Sequence, residues 1–216
     1  MSVFRGLAMA VLVLVVGASQ ARATTVLTFE GVGDLSPVGD FYNGAGPDNF
    51  HIGFSPNVFG LVDSDAGGSG NFGGEPSPDT IIFFDFNPLM TMNVFNGFGT
   101  GLGFFYTAPF PIGPLGLSAQ ARVWSGLDGG GSLLAVLNLF PTLQNGAPDP
   151  TGLFSPLVPA SVFFPGVARS VTFAGIPQGV GLDSITMGSV PVPEPSTLLF
   201  LGAGLTALTL RRRRAR

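Results

Sequence analysis

Between residues 24 and 190 the chain carries twelve carboxylates and only two bases. The spacing of those carboxylates decides what chemistry is open to it. Asp63-Ser64-Asp65-Ala66-Gly67-Gly68-Ser69-Gly70-Asn71 sets acids at alternate positions ahead of glycines. Closely spaced oxygens on a sharply turning loop are what a hard cation such as Ca2+ requires. Against a twelve-residue EF-hand loop, Asp63, Asp65 and Gly68 take positions 1, 3 and 6, with Asn71 in the same stretch. Gly67 and Gly74 then stand at positions 5 and 12, so two side-chain ligands are missing. The nonapeptide calcium repeat fails as well, because Phe72 stands where an Asp belongs. The competing reading is a flexible acidic turn. Glu30 and Asp183 form a second candidate metal pair, one closing the first expected strand and the other punctuating the last. A buried carboxylate there needs a cation, the Arg169 guanidinium or a row of backbone amides.

Trp124, the single tryptophan, alternates onto the polar side of its strand with Gln120 and Arg122, and Asp128 follows closely. An indole beside hydrogen-bonding side chains suits sugar recognition, since the apolar face of a pyranose stacks on it. The alternative is an indole that covers a neighbouring loop, as tryptophan is usually well buried. Catalysis has little material. His51 is the sole histidine, there is no cysteine, and no G-x-S-x-G occurs, so triads and His-based metal centres lack their parts. Glu30 and Glu75 could form a glycosidase pair, but most aspartates here sit beside Gly, Pro and Ser, as turn residues do. His51, in the apolar stretch 50–54, is expected to be a satisfied strand histidine. No catalytic residue is assigned.

The elements that must position these groups read as strands. Short runs rich in Val, Ile, Phe and Thr are punctuated by Gly, Pro, Asn and Asp, and no amphipathic helix of normal length precedes Leu198. This pattern argues for a single jelly-roll-like β-sandwich. Eleven strands are expected, at 26–30, 50–55, 58–62, 80–86, 91–95, 101–107, 117–124, 132–140, 160–164, 170–174 and 181–187. Ile81-Ile82-Phe83-Phe84 is apolar on both faces and is expected to be central. Leu117, Ala119, Ala121 and Val123 alternate with polar neighbours, as in a strand with one buried face. The stretch 141–159 has five prolines and reads as a long loop.

Two apolar ends flank this body. Met1–Arg5 is a basic leader, Gly6–Gly17 an apolar core, and Ala21-Arg22-Ala23 an A-x-A site for signal peptidase. The expected segments are therefore a signal peptide at 1–23, a β domain at 24–190 and a C-terminal segment at 191–216. With Arg122 and Arg169 as its only bases and no lysine, the middle segment has two positive against twelve negative charges, a net of −10. Such a surface repels nucleic acid and anionic membrane and attracts divalent cations. The absence of cysteine excludes disulfides, which a body of this length does not need in order to bury a core.

The C-terminal segment has three parts in order: Val192-Pro193-Glu194-Pro195, an apolar run from Leu198 to Leu210, and Arg211-Arg212-Arg213-Arg214. The prolines hold an extended joint. Thr197 to Leu210 would span about 21 Å as a helix, short of a hydrocarbon core of about 30 Å. The four arginines stay on the cytoplasmic side. A short tail anchor is the plain alternative. This order resembles the PEP-CTERM sorting signal of Gram-negative bacteria, also catalogued as the ice-binding-protein C-terminal segment. The resemblance implies that an exosortase-type membrane transpeptidase cleaves near Pro193–Pro195. The protein would pass transiently through the inner membrane to the outer surface or the extracellular polymer matrix. TFEG, FYNG, DAGGSGNFGGEPSPDT, VWSGLDG and GLDSITMGS resemble the bodies of other PEP-CTERM proteins, which implies no activity. Glu30 and Asp183 are also similar to the acids that hold a structural calcium in jelly-roll carbohydrate-binding modules. The residues thus point to a non-enzymatic surface protein of structural or adhesive role. The alternatives are a carbohydrate-binding module on extracellular polysaccharide or, less favoured, a polysaccharide hydrolase. Ice binding lacks the regular Thr arrays of a flat face.

Overall fold

The computed structural model describes residues 24–144 and 152–188, and these form nine β-strands with no helix. In chain order they are β1 (Thr25–Leu27), β2 (Ile52–Phe54), β3 (Val58–Val62), β4 (Thr80–Phe84), β5 (Leu89–Thr107), β6 (Ala119–Trp124), β7 (Leu133–Leu139), β8 (Val158–Gly175) and β9 (Gly181–Met187). Every pairing between them is antiparallel.

Two long strands build the sandwich. The first part of β5 pairs with β2 and with the second part of β8, which continues into β6 and β7. The second part of β5 pairs with the first part of β8 on one side and β9 on the other; β9 leads to β4 and β3, and β1 also pairs with β9. Strands β5 and β8 thus pass together from one layer to the other, and their apolar faces meet between the layers. Phe104 of the second layer meets Phe173 of the first edge to face, with ring centroids 5.2 Å apart, a favoured aromatic geometry. Met90, Met92, Leu102, Phe104, Val171, Phe173, Leu182 and Ile185 line this core.

The layer change lies where the sequence reads as two breaks. Asn93 faces Ser170 and Phe98 faces Ala168, so residues 94–97 oppose the single residue Arg169. Gly99 faces Val167 and Gly101 faces Phe163, so 164–166 oppose only Thr100. These bulges turn both strands without ending them. Gly97 has φ +70°, and a Cβ there would approach Val167 Cγ1 to 2.7 Å. The eleven expected strands are therefore nine, because Asn96-Gly97 and Pro165-Gly166 mark corners inside strands instead of turns between them. Val58–Val62 and Gly181–Met187 have the expected bounds. Strand β4 is interior, between β3 and β9, and nearly all its side chains are buried. Ala119, Ala121 and Val123 face inward as the alternation requires.

Candidate functional site

The turn 77–80 gathers the two acids that the sequence paired. Its Ser77 and Thr80 are buried. Glu30 accepts from the amides of Asp79 (3.1 Å) and Thr80 (3.0 Å) and from Thr80 Oγ1 (3.1 Å). Asp183, fully buried in β9, accepts from the Ser77 amide (3.0 Å), from Ser77 Oγ (2.8 Å) and from the Ser184 amide (2.5 Å). Burial strips water from the Asp183 carboxylate and raises its pKa, and the Glu30 charge raises it further, against the lowering effect of these donors. Arg169 is exposed on β8. Backbone amides, with hydroxyls beside them, thus contact both acids.

In the acidic loop, Asp63 is buried, while Asp65 and Asn71 are exposed. Asp63 Oδ1 accepts from the Ser64 amide (2.7 Å), and its backbone carbonyl from the Gly68 amide (2.8 Å). The loop closes tightly onto β3, and a side chain at Gly68 would collide with the Val62 carbonyl. The acid that joins this loop is Glu75. Its pKa is raised by burial and then by the charges of Asp63, Asp65 and Asp183, and its Oε2 is buried without a hydrogen-bond partner. Among the described residues, no group of three or more His, Cys, Asp or Glu side chains is arranged to hold a metal ion.

Gln120, Arg122 and Trp124 share the outer face of the first layer, as expected. Arg122 Nε donates to Gln120 Oε1 (2.5 Å), and Gln120 Nε2 donates to Asn138 Oδ1 (2.7 Å). Trp124 is half-buried, and its Nε1 donates to Thr172 Oγ1 (2.9 Å). The glycine-rich β6–β7 connection lies across this face. The Gly129 amide donates to Ser170 Oγ (3.0 Å) and the Asp128 amide to Asn93 Oδ1 (2.8 Å), while Asn93 Nδ2 donates to Asp128 Oδ1 (2.6 Å). Asp128 is therefore tied to β5, away from Gln120 and Arg122. His51 is a correction: it is exposed at φ +57°, just before β2, and not inside a strand.

The outer face of the second layer holds a cleft of about 480 Å³ that the sequence did not reveal. Leu61, Ile81, Phe83 and Thr107 floor it, and Phe154 closes one side. Asn71, Asp85 and Gln178 line it as well. Phe154 comes from the proline-rich connection and meets Phe110 edge to face at 5.7 Å. Only the outward alternation of β3 and β4 signalled this face.

Ala21, Ala23, Val192, Pro193, Glu194, Pro195 and Arg211–Arg214 lie outside the described residues. Residues 191–214 match the PEP-CTERM protein-sorting motif. The chain thus carries a PEP-CTERM sorting motif, which implies export and sorting through an exosortase. No curated protein matches the chain. Among solved structures, one cleaved adhesin domain of Lys-gingipain is 12% identical, covering 76% of this chain and 99% of its own at a TM-score of 0.48. A second such domain, from Porphyromonas gingivalis, is 14% identical over 78% of this chain and 99% of its own, with a TM-score of 0.38. A carbohydrate binding module from a Cellvibrio mixtus lichenase, in complex with cellotriose, is 10% identical over 62% and 88%, with a TM-score of 0.33.

Proposed function

We propose that this chain is a cell-surface or extracellular-matrix protein of a Gram-negative bacterium with a structural or adhesive role. Its C-terminal motif delivers the acidic sandwich to the outside. The match at residues 191–214 carries this reading. Signal peptidase would act after Ala23, and an exosortase-type transpeptidase near Pro193–Pro195. The test is fractionation of cells expressing the chain or a variant with Pro193, Glu194 and Pro195 all replaced by Ala. The natural chain is expected outside the inner membrane without Arg211–Arg214, and the variant is expected to stay in the inner membrane. The same location for both would overturn the proposal.

A non-catalytic role fits the carboxylates. Glu30, one member of the glycosidase pair, is occupied by three donors of the 79–80 turn. A second reading is carbohydrate binding on the outer face of the first layer, favoured by the hydrogen-bonded row Arg122–Gln120–Asn138 beside Trp124. A glycan array comparing the natural chain with Trp124→Ala tests it, and equal binding by both would remove that site.

A further inference from the structure

We propose that the cleft on the outer face of the second layer binds a neutral saccharide. It lies on the sheet opposite Trp124, so the inference goes beyond the first-layer reading and does not depend on it. The argument begins from what the floor is. Register sets Phe59, Phe83, Gly181 and Thr107 in one row across β3, β4, β9 and β5, with Leu61 opposite Ile81 in the next. Odd-numbered residues of β3 and β4 therefore point away from the core, where an antiparallel sheet facing water normally shows polar side chains. Here they are Phe59, Leu61, Ile81 and Phe83.

Part of that apolar face is covered by the chain itself. Phe72 and Leu157 pack on Ile81, and Leu61, Phe105 and Phe154 pack around them. The cover stops short, leaving the cleft, and Leu61, Phe83 and Phe154 keep part of their surface exposed there. Phe83 is steadied by Phe59 at 5.9 Å and Phe154 by Phe110 at 5.7 Å, so both rings are held in place.

The rim is polar and ordered. Gln178 Nε2 donates to Asp85 Oδ1 (2.9 Å), and the Gln178 amide donates to the Phe84 carbonyl (2.8 Å). An amide side chain has two hydrogens and an acceptor oxygen, so Gln178 keeps one of each to spare. On the other side, Asn71 is anchored by its carbonyl, which accepts from the Phe154 amide (3.0 Å), and Ser69 by its hydrogen bond to Asp34.

Charge and polarity narrow the ligand. Neither base of the body lines the cleft, while Asp85 does, so an anionic sugar would meet repulsion without a counter-charge. A wholly apolar ligand would desolvate Asp85 and Gln178 and return no hydrogen bonds, a costly exchange. A neutral pyranose has an apolar face for the Phe rings and hydroxyls for the amide and carboxylate rim. The volume of about 480 Å³ lies in the usual range for small-molecule sites.

Affinity gel electrophoresis of the full chain against neutral glucans, galactans and mannans, with polygalacturonate as the anionic probe, tests the proposal. Gln178→Asn retains a residue that tolerates the positive φ at that site, and Asn71→Ala alters an exposed position. Melting curves verify that both variants fold. At least one neutral polymer should retard the natural chain, and each cleft variant should lose about tenfold in affinity for it, whether or not Trp124 is also replaced by Ala. The proposal is overturned by no neutral binding, by preference for polygalacturonate, by variants that bind unchanged, or by loss confined to Trp124→Ala.

Discussion

Replacing Ser77 by Ala is the sharpest probe of how the second layer is held. Ser77 is buried, and its hydroxyl lies 2.8 Å from both carboxylate oxygens of the fully buried Asp183. The substitution leaves the backbone bond from the Ser77 amide and the Ser184 bond in place and removes one donor to a charged acceptor. Such a bond contributes about 1.5–3 kcal/mol. For a domain of this size, where 1 kcal/mol moves Tm by about 2–4 °C, the expected fall is about 3–12 °C. The pH dependence separates this cause from lost packing. The folded-state pKa of Asp183 already lies above 3.8 because of burial. A raised carboxyl pKa means that its contribution to stability is greatest below the unfolded value and is lost as pH rises through the folded one. Ser77→Ala pushes the folded value higher still, so the gap between the natural chain and the variant should widen from mildly acidic to neutral buffer. Calorimetric melts of both chains across that window are the assay. A gap that is constant with pH, or no gap, would refute the claim that this hydroxyl serves the carboxylate. A cycle with Asp183→Asn adds a check, since the effect of Ser77→Ala should shrink once the charge is gone.

Other consequences follow from the same geometry. Glu75→Gln removes a charge whose Oε2 is buried without a partner and whose pKa is raised by burial and by Asp63, Asp65 and Asp183. Its effect, reduced by solvent screening, should be a small rise in Tm at neutral pH that disappears in acid, as melts in the two buffers would show. Gly97→Ala forces a side chain into φ +70° and against Val167; a loss of more than about 1 kcal/mol is expected in chemical denaturation. Phe104→Ala opens a hole between the layers and should cost about 3–5 kcal/mol by the same assay. The Glu30 and Asp183 oxygens already accept from amides and hydroxyls, so adding calcium or a chelator is expected to leave Tm unchanged.

What the sequence made legible is what depends on neighbours in the chain. Alternation placed Ala119, Ala121 and Val123 inward, and turn residues bounded β3 and β9, because both signals act over a few residues. Asn96-Gly97 and Pro165-Gly166 carry the same local signal whether a strand ends or bends there. Which occurs depends on β5 and β8 pairing on both sides of the corner, and that pairing is tertiary. The partner of Asp183 was out of reach for a similar reason, since Ser77 stands 106 residues away inside an unremarkable Pro-Ser-Pro-Asp turn. Trp124 followed its strand onto the polar face, but the run Gly129-Gly130-Gly131 gave no sign that its loop would fold back over that face to Ser170 and Asn93. Phe154 is the clearest case. It lies in a proline-rich connection with no periodicity, and only the packed fold brings it beside Phe72 and Phe83.

The two ends of the described body bear on how such a chain could be processed. Thr25 of β1 pairs with Met187 of β9, so the first and last strands leave the sheet side by side at one corner. A leader ending at Ala23 and a sorting segment beginning at Pro191 would both attach there. The acidic loop, the Trp124 face and the cleft are built from the interior of the chain, with Asp34 the first of their contributing residues and Gly181 the last. Strands β1 and β9 thus close the described body at this corner, where they bury Leu27 and Ile185 in the core. An architecture with its ends at opposite poles would make one processing site depend on the orientation of the whole body. The shared corner removes that dependence.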